Sequence, residues 1–195
     1  KIEAQIAALP EASELTTGDV KAVLEAISAY ELLNEDEKAQ VSNADKLQAA
    51  EERLPEIMVP PYTDVSQEEW YYPAANALYW ADIMTGMDET TFGGGLPMCR
   101  AQFVTVLYRI AGCPETEYSG AFADVPENEW YAEAVEWANE NGIATGYSNG
   151  LFGPADDVNR EQMATMMWRM AKVQGVDTTV TTGLESFPDY TSVSD

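Results

Sequence analysis

Four arginines are the residues best placed to do chemistry. Between Arg53 and Lys172 the only basic residues are Arg100, Arg109, Arg160 and Arg169, two pairs that recur at a constant offset of 60. They stand in an acidic chain: 10 Lys and Arg face 34 Asp and Glu, a net charge of −24. Arg100 and Arg160 each fall at the first position of a helix-like pattern, where a cation opposes the helix dipole at a cost of about 0.3–1 kcal/mol. A local preference overridden twice in the same way points to function. The free backbone N–H groups of a helix start, with a guanidinium beside them, make an anion pocket suited to two-point contact with a carboxylate. The competing reading of both residues is an intramolecular ion pair with one of the many acids. Arg109 and Arg169 lie nine residues further on, about half a helical rotation away, and read as structural partners of acids.

Other chemistries are removed by composition. The chain has no His, so Ser-His-Asp and Cys-His catalysis and the commonest metal ligand are absent. Cys99 sits at a helix start beside Arg100, which favours its thiolate, but nothing nearby would activate it as a catalytic nucleophile. Cys113 falls at the far end of the same helix, some ~20 Å of rise away against the ~7 Å limit of a disulfide. Gly93-Gly94-Gly95 lacks the Lys-Ser/Thr of a phosphate loop, and the acid runs Glu35-Asp36-Glu37 and Asp156-Asp157 lack the alternating ligands of a calcium loop. No metal and no cofactor are implied. A charge of −24 excludes generic nucleic-acid binding and an anionic membrane surface. No apolar run approaches the roughly 18 residues of a membrane span. The apolar content of 46%, with 5 Trp, 10 Tyr and 5 Phe, is enough for a folded core, so the acidity belongs to a surface.

The arginine offset belongs to an internal repeat. Residues 62–112 superpose on 122–172 without a gap, with 16 identities in 51 positions. Asp64-Val65 matches Asp124-Val125, Glu69-Trp70-Tyr71 matches Glu129-Trp130-Tyr131, Thr85-Gly86 matches Thr145-Gly146, and Phe92-Gly93 matches Phe152-Gly153. A third copy opens at Phe187-Pro188-Asp189. In repeat 2, Trp130, Ala134, Trp137 and Ala138 have helical spacing that ends at Asn141-Gly142, and a turn-rich connector follows. Asn159-Arg160-Glu161-Gln162 reads as a capping box. Met163, Met166, Met167 and Met170 then form an apolar stripe, written Phe103, Val106, Leu107 and Ile110 in repeat 1. Each repeat is helix, loop, helix, and one such pair cannot bury its apolar faces alone.

Before the repeats, helix formers predominate. Ile2 to Leu9 reads as a helix closed by Pro10, Thr17 as the cap of Gly18 to Leu33, and Asn34 and Asn43 as caps of Glu35 to Val41 and Ala44 to Leu54. Val20, Val23, Leu24, Ile27, Leu32 and Leu33 are spaced for a buried face. Pro55, Pro60 and Pro61 make a stiff joint, so a division near Pro60-Pro61 is expected.

The order Phe/Tyr-x-Asp-Val, Glu-Trp-Tyr, Gly142-Ile143-Ala144-Thr145-Gly146-Tyr147, then Asn149-Gly150-x-Phe152-x-Pro154 and Asn159-Arg160-Glu161-Gln162, resembles the S-layer homology (SLH) repeat. Residues 1–60, with Ala29-Tyr30-Glu31-Leu32, look like the helical spacers of surface proteins of thick-walled bacteria. The resemblance implies an all-α chain: a helical spacer bundle over 1–60, SLH repeat 1 over 61–120, SLH repeat 2 over 121–185, and the start of a truncated third repeat at 186–195. It implies a non-catalytic, extracellular module at the cell wall or S-layer of a bacterium. Its ligand would be secondary cell-wall polysaccharide, often carrying pyruvate ketals, and the motif arginine maps onto Arg160 and Arg100. Repeat 1 departs from the pattern at Met98-Cys99 and at Gly86-Met87-Asp88-Glu89-Thr90, so Arg160 is expected to outweigh Arg100; both repeats carry Gln102 and Gln162 for the motif Glu. Other readings are a fragment of a surface glycosidase, a drifted protein-interaction module, and self-association through the incomplete third repeat.

The remaining candidates have two readings each. Trp70 and Trp130 offer faces for a sugar ring, yet they lie on the apolar stripe, which favours the core. Asp64 and Asp124 stand before the first helix of each repeat and read as turn caps, with ligand contact as the alternative. Gly146 and Tyr147 enter through the loop motif, and the Met stripe reads as core. Charge alone gives one expectation. Self-repulsion at a net charge of −24 is screened by salt, so the melting temperature should rise or hold between low and physiological NaCl; calorimetry that shows it falling would contradict this.

Overall fold

The computed structural model describes residues 1–179 together with Gly183 and Pro188. The third copy expected at 186–195, and any self-association through it, lie outside the described residues apart from Pro188. Among the described residues the chain is all-α, as read from periodicity: α1 (Ile2–Ala8), α2 (Val20–Glu31), α3 (Glu35–Lys38), α4 (Ala44–Ile57), α5 (Tyr72–Trp80), α6 (Arg100–Ile110), α7 (Ala132–Glu140) and α8 (Arg160–Val173). The only β pairing among the described residues is one isolated antiparallel bridge, Cys99 to Asp157.

The first unit, Lys1–Gly93, holds the bundle and the first half of repeat 1. Its core is Ile6, Leu9, Leu15, Val20, Val23, Ala26, Leu47, Ala50, Leu54 and Ile57. Local chemistry sets the boundaries. Thr16, not Thr17, closes the turn before α2, through a reciprocal pair with Asp19. Asn34 caps α3 through Glu37, as its sequence suggests. Asn43 instead turns its amide to the Glu3 carbonyl at 3.0 Å. Pro55 lies within α4 rather than in the joint. Leu32 is 88% exposed because α2 ends at Glu31, just before the stripe would bring it round to the core. Trp80, at the end of α5, packs on the bundle core, and Lys21 pairs with Asp82 at 2.7 Å.

The second unit, Gly94–Asp195, has a core that combines Phe103, Val104, Leu107 and Tyr108 of α6 with Val135, Trp137 and Ala138 of α7, Ile143, Phe152, and Met166 and Met170 of α8. The packing division thus falls at Gly93/Gly94, within repeat 1, and not near Pro60-Pro61. The reason is that the second helix of repeat 1 buries its face against the first helix and loop of repeat 2, whereas α5 finds cover on the bundle. On the Met stripe, Met166 and Met170 are core but Met167 is 56% exposed, next to a half-exposed Trp168.

Glu136 was not singled out by its sequence. It is 0% exposed in the middle of α7, where its carboxylate accepts the Ser119 hydroxyl at 2.7 Å and the N–H groups of Gly120 and Ala121 at 3.1 and 3.2 Å. A buried carboxylate is tolerated when donors surround it, and this one ties down the connection between repeats. Sixty residues earlier the sequence has Asn76, and the residues matching Gly120 and Ala121 are Pro60 and Pro61, which have no N–H to give. The Asn76 Oδ1 is buried without a partner. Glu136→Ala should therefore cost roughly 1–3 kcal/mol, because it removes three hydrogen bonds that tie the connection to α7, and Glu136→Gln should cost less. Urea unfolding of the three proteins checks the order.

Candidate functional site

Repeat 2 builds its loop by clamping it. The Phe152 and Gly153 N–H groups donate to the two Asp124 oxygens at 2.9 and 2.8 Å. In repeat 1, Phe92 and Gly93 donate to the two Asp64 oxygens at 2.8 Å each. The carboxylates of these aspartates are not used as caps of the adjacent turn: they hold the loop against the start of the first helix of each repeat. Burial raises the Asp124 pKa, but the two N–H groups, with a lesser contribution from Arg100, bring it below the usual carboxylate value. Gly146 has φ +69°, and a Cβ there would lie 2.5 Å from Phe122 Cε1 and 2.8 Å from the Leu151 carbonyl. The loop reaches the Phe122 ring only because that side chain is missing.

Onto this loop comes Arg100, from the preceding repeat. It is 3% exposed, and its Nε–H donates to the Phe152 carbonyl at 2.9 Å. Its guanidinium carbon lies 4.6 Å from the Tyr147 ring centroid and 4.9 Å from that of Phe152. Cation–π contact on two rings fixes the charge without neutralising it. No ion pair forms between Arg100 and an acid among the described residues, which disposes of the bland reading for this arginine. The helix start is not an open anion cradle, however: the Arg100 and Ala101 N–H groups donate to the Asp156 and Pro154 carbonyls at 2.8 and 3.1 Å.

This reverses one expectation. The loop facing Arg100 is that of repeat 2, which matches the family pattern, and not the divergent loop of its own repeat. Arg160 opens α8 as expected, with Asn159 and Gln162 forming the capping box, but its side chain is exposed and makes no ion pair or hydrogen bond with the described residues. Arg169 donates to the Ile143 carbonyl at 3.2 Å rather than to an acid.

Trp70 and Trp130 are not core; they are 89% and 62% exposed. Each sits in the turn before its helix, off the stripe, and meets the edge of the next residue, Tyr71 or Tyr131. The Tyr131 phenol is raised by burial first and then by Glu129 and Asp124. The structure thus brings together Arg100, Asp124, Gly146 and Tyr147, and adds Phe152 and Asp156; Asp64 and Trp70 belong to the first unit. A second concavity of about 530 Å³ is lined by Tyr108, Cys113, Glu115, Thr116, Glu117 and Glu133, whose three carboxylates repel anions. Among the described residues no acid or cysteine cluster could hold a metal ion, and no helix is long and apolar enough to cross a membrane.

The S-layer homology domain matches residues 61–104 and 121–164, so the two repeats are S-layer homology repeats. The chain is 36% identical over 109 residues to an endoglucanase of Bacillus sp. (strain KSM-635), covering 56% of this chain and 11% of that protein. It is 30% identical over 122 residues to a cell surface protein of Thermoanaerobacter kivui, covering 60% and 16%. It is 26% identical over 107 residues to the S-layer protein sap of Bacillus anthracis, covering 54% and 13%. The chain therefore spans less than a fifth of the length of these relatives. No solved structure matches.

Asp124 gives a pH prediction. A carboxyl whose folded pKa lies below the unfolded value of about 3.9 adds stability that is present above that value and lost as pH falls through the folded one. Asp124→Asn should be about 1–2 kcal/mol less stable than the parent at neutral pH, and the gap should narrow as the pH falls below about 4. Chemical denaturation across that range would refute the clamp if the gap were constant.

Proposed function

We propose that the repeats anchor their parent protein to the cell wall by holding an acidic sugar of secondary cell-wall polysaccharide at the Arg100 site, a carboxylate such as a pyruvate ketal being the group held. S-layer homology repeats are non-catalytic anchoring domains, and they place this chain outside the cell, at the wall or S-layer. The enzyme names among the relatives belong to much longer proteins, of which this chain matches a small part.

The observation that carries the reading is the state of Arg100. Its Nε is spent on the Phe152 carbonyl, and among the described residues no acid lies within ion-pair distance of it and its two terminal nitrogens have no hydrogen-bond partner. A fixed cation with no counter-ion in contact, offset only from a distance by the Asp124 carboxylate, suits an anionic ligand in a chain of net charge −24. Tyr147, 37% exposed, and Trp130, 62% exposed, supply faces for the sugar ring. Arg160 offers the same guanidinium at the equivalent helix start.

Calorimetric titration with purified wall polysaccharide tests this. Arg100→Lys keeps the charge and spares the fold but loses the planar two-point contact, so binding should weaken about tenfold. Polymer stripped of its ketals by mild acid should bind the parent no better than the intact polymer binds the variant. Equal binding of intact and stripped polymer would remove the carboxylate from the reading.

A further inference from the structure

The two repeats share their loop framework, and among the positions where they differ is one pair of side chains that meets over the loop. Asp124, Phe152 and Gly153 have identical counterparts in Asp64, Phe92 and Gly93, whereas Tyr147 corresponds to Met87 and Asp156 to Leu96. Tyrosine and aspartate are present together in one repeat and absent together from the other. In repeat 2 the two meet over Gly153. A Cβ built on that glycine, which has φ +71°, would lie 2.5 Å from Tyr147 Cε2 and 3.2 Å from Asp156 Cγ. The backbone of Asp156 is held at both ends: its N–H donates to the Gly153 carbonyl at 3.1 Å, and its carbonyl accepts the Arg100 N–H at 2.8 Å. Its carboxylate is thereby delivered to the Tyr147 ring, which also meets the Arg100 guanidinium at 4.6 Å and the Gln162 side chain.

We propose that Asp156 is the positioning residue of the polysaccharide site, its carboxylate accepting the Tyr147 hydroxyl and fixing that ring as the wall against Arg100. The assignment rests on the anchoring reading for its ligand, but not for its geometry. In repeat 1, where Met87 and Leu96 are 50% and 61% exposed, the framework is kept and no such wall exists, so the pair decides which loop presents a sugar-facing ring. The Tyr147 phenol fits this arrangement: burial raises its pKa first, and the hydrogen bond to Asp156 raises it further by stabilising the protonated form.

The test uses the 195-residue chain, with Asp156→Leu, Tyr147→Phe and the double variant compared in polysaccharide calorimetry, and with tyrosine ring-carbon labelling to follow the Tyr147 phenol. Each single variant should weaken binding about three- to tenfold, the usual worth of one hydrogen bond. The double variant should be no weaker than either single one, because both break the same link. Asp156→Leu should move the Tyr147 titration to lower pH while the melting temperature holds, and Asp156→Asn, which keeps an acceptor oxygen, should restore binding in part. Additive losses, or a Tyr147 titration unmoved in Asp156→Leu, would overturn the positioning role. Should the parent fail to bind the polysaccharide, the anchoring reading falls, and the titration still decides whether Asp156 holds Tyr147.

Discussion

The second unit depends on one constraint: the second helix of a repeat cannot cover its apolar face with its own first helix. Phe103, Val104, Leu107 and Tyr108 of α6 become core only against α7 and the loop of the following repeat. That interlock moves the packing division to Gly93/Gly94, and it carries Arg100 from one repeat onto the loop of the next. The candidate site therefore belongs to no single repeat. It is assembled where two of them meet.

Two buried carboxylate devices hold this arrangement. The aspartate clamp converts an otherwise unsupported loop into a rigid edge, because two backbone N–H groups that would need water are satisfied by one side chain. Glu136 does the same for the connection between repeats. Both use negative charge to organise backbone donors, a cheap device in a chain with so many acids and one that leaves the scarce arginines for other tasks. Of these, Arg169 is spent on a carbonyl, whereas Arg100 is pinned by two rings and a carbonyl, with no acid in ion-pair contact among the described residues.

The differences between the repeats are as informative as their identities. Loop framework residues are duplicated, so both loops close in the same way. The residues presented on that framework differ, with Tyr147 and Asp156 answered by Met87 and Leu96. At the Glu136 position the exchange for Asn76 follows from backbone chemistry, since Pro60 and Pro61 have no donors for a carboxylate.

Much of this was legible in the chain itself. Helical periodicity, the capping boxes at Asn34 and Asn159, the offset of 60 and the scarcity of basic residues are local or one-dimensional properties, and from them came the helices, the tandem repeat and the importance of Arg100 and Arg160. What no spacing reveals is which loop an arginine meets. Arg100 faces the second loop because apolar burial pairs α6 with α7, a contact between residues distant in sequence. For the same reason Trp70 and Trp130, regular in spacing, proved exposed, and Asp64 and Asp124, read as caps of an adjacent turn, proved to reach 28 and 29 residues ahead. Local hydrogen bonds and helical period are written in the order of the residues; the partner of a charge is chosen by how the helices close over one another.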